Sequence, residues 1–230
     1  MESLSQIALF ANRPVPMSPH ADIHAVSLPA RTYTGDFWFT HRYEDRLWFA
    51  VGDVAGKGIN AAVFMAMIQE ELEHRITSCA ATRCDPSTTM QRLHAFLKPL
   101  LPGNRFATVV LGHLRDDGWL TIANAGHCPP LIVRADGSID AIDSTGPAAG
   151  ILPSPRWRTT TTLLGRAESL VLYSDGVIES RRRDGEELGV HGVRNALRGF
   201  HASARETASR VLGAVEEKED DVTLVVIRRT

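Results

Sequence analysis

Between residues 105 and 164 the chain reads as β-structure throughout. This long unbroken stretch, with helical segments on both sides of it, limits the fold more than any other feature. Phe106–Leu114, Trp119–Asn124 and Pro130–Arg134 are apolar, β-rich runs. The turn Asp116-Asp117-Gly118 and the loop Asn124–His127 separate them, and Ala135-Asp136-Gly137 adds a hairpin signal. Trp157–Leu163 carries four consecutive threonines, a strand composition. Upstream, strands are predicted over 22–30, Phe37–Tyr43 and Leu47–Val51. A helix follows over Ile59–Ile76, where Ala61, Met65, Ile68, Leu72 and Ile76 recur at helical spacing. A second helix opens at Asp85-Pro86, a cap followed by a first-turn proline, and runs to about Leu100. Downstream come a strand at Ser169–Tyr173, helices over 189–199 and 204–217, and a closing strand at Val222–Ile227. Strands and helices are segregated rather than alternating. The expected class is therefore α+β, with antiparallel sheets covered by helix pairs, and not a parallel doubly wound sheet.

The 230 residues suit one large domain. Residues 1–19, with Pro14, Pro16 and Pro19 and little periodicity, read as an N-terminal arm ahead of a domain over 20–230. Lys+Arg is 25 and Asp+Glu is 27, a net charge of −2 that argues against nucleic acid or an anionic membrane as partner. No apolar run reaches the roughly 18–20 residues of a membrane span. The three cysteines, Cys79, Cys84 and Cys128, show no CxxC spacing. They point to inert thiols in a reducing, cytoplasmic setting rather than to a disulfide framework or a zinc site.

Chemistry concentrates in a recurring context. Asp36 follows Gly35 at the head of a strand, and Asp53 follows Gly52 at the end of one. Asp175 lies between Ser174 and Gly176 after another strand, and Asp220 and Asp221 precede the last. Any one of these pairs alone reads as a turn, since Gly-Asp and Asp-Gly are common turn dipeptides. Together, carboxylates at strand ends can converge on one rim of a sheet, where they cannot all ionise without cations. An oxygen-rich cluster poor in histidine selects hard cations, Mg²⁺ or Mn²⁺, and a pair of such ions can activate water against a phosphoryl group.

Seven strings are read together: TGDFWF (34–39), VGDVAGKGINAAVFM (51–65), FATVVLG (106–112), ANAGHCPPLIV (123–133), GPAAGI (146–151), LYSDGVIES (172–180) and DDVTLVVIR (220–228). On these the chain resembles the metal-dependent protein phosphatases of type 2C. Within them it is similar to the bacterial branch of the sporulation stage II protein E and the sigma-factor regulatory phosphatases. The resemblance covers about 20–230. It implies an αββα sandwich with two Mn²⁺ or Mg²⁺ ions at one edge. Asp53 would bridge both ions, and the backbone carbonyl of Val54 would be a further ligand. Asp36 would serve one ion, and Asp175 and Asp220 the other, with Asp221 the weaker choice. Water activated between the ions through Asp36 and Asp53 would attack phosphorus directly. Gly52 and Gly56 would let the backbone approach the metals. The sequence departs from the family pattern at Thr34, where a glycine is usual, and at Phe39, where a second acid is usual and whose loss bears on an outer ion.

Other residues carry weaker readings. GDVAGKG is one residue short of a phosphate-binding Walker loop, and Gly58 stands where that loop needs Ser or Thr. Lys57 could aid a phosphate, though a solvated loop lysine is the simpler reading, and Arg31 reads as a surface arginine. His127 could touch a phosphate or act as an acid, but reads better as a structural loop histidine. Arg181-Arg182-Arg183 reads as a solvated charge run. No HExxH or GxSxG motif is present. The expected function is a serine/threonine protein phosphatase. Its implied substrate is a phosphorylated STAS-domain anti-anti-sigma protein, with regulation through a partner or self-association at the helices near 59–100 or through residues 1–19. The rival readings are a degenerate phosphatase fold that only binds a phosphoprotein, and a two-metal nucleotidyl cyclase or nucleotidase.

Overall fold

Strand alternation dictates a layered molecule. In Asp36–Tyr43 (β2), Phe37 and Phe39 are buried on one face and Trp38 on the other. In Arg46–Val54 (β3), Trp48 and Ala50 oppose Phe49 and Val51 in the same way. A strand apolar on both faces must be covered on both. The computed structural model describes residues 14–30, 34–56, 59–78, 85–101, 105–183, 185–199 and 201–230.

Two antiparallel five-stranded sheets stack face to face. With Ala107–Arg115 (β4), Trp119–Ala125 (β5) and Thr160–Leu163 (β8), the first has the order β2-β3-β4-β5-β8. Ala21–Leu28 (β1), Leu131–Val133 (β6), Ile139–Ala141 (β7), Ser169–Tyr173 (β9) and Val222–Arg229 (β10) form the second, in the order β1-β10-β9-β6-β7. Trp38, Phe49, Val51, Leu170, Leu172 and Val225 fill the space between the sheets. Helices Ile59–Thr77 (α1) and Pro86–Leu97 (α2) cover the outer face of the first sheet, packing Ile68, Leu72 and Leu93 on Phe37 and Phe39. Asp175–Glu179 (α3), Gly189–Ala196 (α4) and Ala204–Leu212 (α5) cover the second, packing Val193 and Val211 on Tyr173 and Val226. These are the covered antiparallel sheets expected from the segregated pattern, stacked as the αββα sandwich that the resemblance implies.

Local signals act as the sequence suggests. Asp85 caps α2, accepting from the Ser87 and Thr88 amides at 3.0 and 3.3 Å. The α1 stripe of Ala61, Met65, Ile68, Leu72 and Ile76 is buried throughout. Two expectations need correction. The last helix ends at Leu212 instead of 217, because the chain turns at Gly213 and Glu217 then bridges to Arg181. The Asp175 segment, whose Asp-Gly pair alone reads as a turn, is a short helix. Of the N-terminal arm, the described part reaches the domain at Pro19, whose carbonyl accepts from the Thr230 hydroxyl at 3.3 Å. No helix among the described residues is long and apolar enough to cross a membrane.

Candidate metal centre

Register brings the first two acids together. Asp36 is directly paired with Asp53 across β2 and β3. Like charges directly opposite each other destabilise a sheet. Both continue the inter-sheet faces of their strands beyond Trp38 and Val51, so they lie at the rim of the central core. The second sheet delivers the others to the same rim. Asp175 begins α3 immediately after β9, and Asp220 and Asp221 lead into β10, the hydrogen-bonded neighbour of β9. Gly176 permits this approach, since a Cβ there would lie 2.0 Å from the Asp221 carbonyl oxygen. One carboxylate oxygen from each of Asp36, Asp53 and Asp175 falls within 4.8 Å of the others. These residues are respectively buried, half-buried and exposed, so the cluster opens to solvent on the Asp175 side.

Asp36 is 4% exposed, and its Oδ2 is buried with no hydrogen-bond partner. Thr34 holds its backbone: the Thr34 hydroxyl accepts from the Asp36 amide at 3.0 Å. Where the family pattern has glycine, this chain therefore uses a threonine as a turn clasp. Asp221 spends its carboxylate on the loop between β1 and β2, accepting from the Ala30 amide at 2.8 Å and the Gly35 amide at 3.3 Å. Asp220 accepts from the Asp221 amide at 2.9 Å through Oδ1.

The electrostatics follow from this crowding. Burial raises the Asp36 carboxyl well above the usual range, Asp53 and Asp221 raise it further, and the Ser174 and Thr223 hydroxyls oppose them. Burial, then Asp175, Asp220 and Asp221, push Asp53 up to about 7. Asp175 is raised by burial and by Asp220 and Asp221, with the Gly176 amide opposing. Protons or cations relieve such a group further.

The donor chemistry fits a hard divalent cation: carboxylates without histidine, and one buried oxygen with nothing to accept from. A further oxygen faces the same space. A methyl group added at Gly35 would meet Asp53 Oδ1 at 2.8 Å and the Val54 carbonyl oxygen at 3.0 Å. Gly35, not Gly52, keeps that space open. Gly52 is glycine for a packing reason, because a Cβ there would strike the Phe37 ring at 2.6 Å and the Thr108 carbonyl at 2.5 Å.

The remaining candidates resolve as follows. His127 is buried, its Nδ1 2.8 Å from the Thr108 hydroxyl and its backbone clasped by Asn124. Burial lowers its pKa to about 4, which holds the imidazole neutral at neutral pH. Phe39 is 1% exposed in the core beneath α1 and α2, on the sheet face opposite Asp36. Cys128 is a free, half-buried thiol whose pKa is raised to about 12 by burial and then by Asp175 and Asp36. The arginine run is not merely solvated: Arg181 pairs with Glu219 at 2.6 Å, Arg182 with Glu186 at 3.0 Å and Arg183 with Glu216 at 3.5 Å. Lys57, Arg31, Cys79 and Cys84 lie outside the described residues. The roles of Thr34 and Asp221 were not read from sequence, though Thr34 stands two residues before Asp36, the spacing of a hydroxyl-capped turn.

The phosphoserine phosphatase RsbU of Bacillus subtilis (strain 168) is 27% identical over 222 residues, covering 94% of this chain and 65% of that protein. The chain thus spans less than two thirds of RsbU. Among solved structures, the RsbU and RsbW domains of Rv1364c from Mycobacterium tuberculosis superpose with a TM-score of 0.80 at 26% identity, covering 94% of this chain and 63% of that one. RsbX in complex with magnesium superposes with a TM-score of 0.76 at 18% identity, covering 94% and 99%. The family model for stage II sporulation protein E (SpoIIE) matches residues 43–230, from the last residue of β2 through β10 to the C-terminal residue, and the chain belongs to that family.

Proposed function

We propose that this chain is a divalent-cation-dependent phosphatase acting on phosphoserine or phosphothreonine of a partner protein. The observation that carries the reading is the meeting of Asp36, Asp53 and Asp175, drawn from two different sheets, within 4.8 Å. Asp36, Asp53, Asp175, Asp220 and the Val54 carbonyl would hold two Mn²⁺ or Mg²⁺ ions. When bound, such ions supply Lewis acidity toward a phosphoryl oxygen and lower the pKa of water.

The chain's own residues favour direct attack by water over a covalent intermediate. Cys128, the described thiol nearest in electrostatic influence to Asp36 and Asp175, stays protonated at neutral pH. A thiol is a poor nucleophile in that state. His127 is neutral and engaged with Thr108, so it offers no proton to a leaving group at pH 7. Asp36 is aimed by Thr34, and the loop that carries it is tied down by Asp221. The phosphoserine phosphatase RsbU supports a phosphoserine substrate, and resemblance to the sigma-factor branch supports a STAS-domain protein in partner switching. Exposure of Val63 on α1, the helix that follows the Asp53 loop, supports control by a partner or a second copy bound there. The domain would run over 20–230, with residues 1–19 as an arm.

The test is release of phosphate from a phosphoserine STAS-domain protein with and without Mn²⁺. Turnover that needs the cation and disappears in Asp53→Asn is expected. Binding of the phosphoprotein without any turnover would leave a non-catalytic module in its place.

A further inference from the structure

Eleven arginines among the described residues are half-buried, and ten of them have a polar partner. Arg42 and Arg46 face Asp116 and Asp45, Arg75 faces Glu71, and Arg115 faces Asp117. Arg134, Arg181 and Arg182 face Glu168, Glu219 and Glu186. Arg194, Arg228 and Arg229 donate to backbone carbonyls. Arg105 is the exception: among the described residues it has neither an ion-pair partner nor a hydrogen-bond partner. None of its nitrogens is sealed from solvent either.

Its position gives this meaning. Arg105 precedes β4 at the end of the first sheet that carries Asp53, since Asp53 pairs with Thr108 and the Ala55 amide donates to the Phe106 carbonyl at 2.9 Å. The guanidinium lies over Gly56: a Cβ there would sit 3.6 Å from Cζ, 3.7 Å from Nε and 3.8 Å from Nη1. Gly56 has φ +128°, a conformation side chains rarely adopt, so the turn beneath the guanidinium calls for glycine. Gly56 is three residues from Asp53, at most about 10 Å along the chain. An acidic rim repels a dianionic phosphoester, and a planar guanidinium matches phosphoryl oxygens with two parallel donors.

Building on the phosphatase reading, we infer that Arg105 is a substrate-binding residue whose guanidinium takes the phosphoryl oxygens of the phosphoserine or phosphothreonine at the mouth of the acidic cluster. The contact is made to the group itself and not to the partner's surface. It therefore serves a small phosphoester as well as a phosphoprotein.

Two measurements on the full chain test it. In the first, the Arg105 Nε–Hε resonance, assigned by its loss in Arg105→Lys, is followed as inorganic phosphate is added to the Mg²⁺-loaded protein. A saturable shift is expected, and a resonance that never moves overturns the inference whether or not the protein is an active phosphatase. In the second, Arg105→Met is expected to raise KM for p-nitrophenyl phosphate, and the inhibition constant of inorganic phosphate, about tenfold, with kcat changed less than about threefold. Arg105→Lys should recover part of the loss. An effect on the phosphoprotein alone would place Arg105 on the docking surface and overturn the phosphoryl contact. Wild-type protein without cation-dependent turnover would defeat the phosphatase reading, and the resonance shift would still decide the phosphate contact.

Discussion

The two ends of the sandwich treat the same residue type in opposite ways. At the end formed by the β2–β3 and β4–β5 turns, acids meet arginines: Asp116 binds Arg42 through two 2.8 Å hydrogen bonds and Asp117 binds Arg115 at 2.7 Å. The Arg42 hydrogen bond holds the Asp116 carboxyl below its usual range. At the other end, Asp36, Asp53 and Asp175 meet one another, and all three are held above it. A fold optimised for stability alone would use the first arrangement at both ends. The contrast fits the proposed reading, in which cations would relieve the second end.

Asp53→Asn breaks the contrast most severely. It should remove cation-dependent phosphate release by about 10³-fold, because a carboxylate that would hold the cation is lost. The same change should raise the stability of the metal-free protein by about 1–3 kcal/mol, read as a higher Tm, because a buried, mutually repelling charge disappears. Loss of activity with no gain in stability would mean that the acids do not repel as the geometry requires.

Cation and pH sharpen it next. A carboxyl raised to about 7 binds a proton that the unfolded chain has already released, so folding stability falls as pH rises toward and past that value. Below pH 6.5 the buried, neutral His113 and His127 act in the opposite direction, since both are lowered to about 4. The clean window is therefore pH 6.5–8, where the metal-free protein should lose on the order of 1 kcal/mol. Magnesium or manganese at about 100 times its dissociation constant should add about 2.7 kcal/mol, more at pH 8 than at 6.5, because protons compete for the same oxygens. Thermal melts across that window check both signs.

Two smaller changes probe each end separately. Asp221→Ala removes the acceptor of the Ala30 and Gly35 amides and should cost about 1–2 kcal/mol. It should also lower turnover about tenfold, by loosening the loop that aims Asp36. Asp116→Asn at the paired end should cost about 0.5–1 kcal/mol and leave turnover unchanged.

Much of this was legible in the chain. Segregated β-runs and helical stripes gave the two covered sheets, and Gly-Asp and Ser-Asp-Gly at strand ends marked the acids. Other features resisted reading for physical reasons. Asp175–Glu179 is too short for a helical period to show, and Gly176 depresses helix propensity while being demanded by the Asp221 carbonyl. Gly52 looked like a metal-side glycine because the dipeptide marks a site, yet its constraint comes from the Phe37 ring. Phe39 looked like a lost ligand until alternation put it on the face beneath α1.

By itself, the sequence determined which residues are acidic, that they end strands beside glycine, and that strands and helices separate into layers, since period and turn chemistry are local properties. Only the tertiary structure decided that Asp36 lies across from Asp53, that a second sheet brings Asp175 to them, that Asp221 is spent on backbone amides, and that Arg105 is left without a partner among the described residues. Those facts depend on register and on the stacking of two sheets, which bring together residues far apart in the chain.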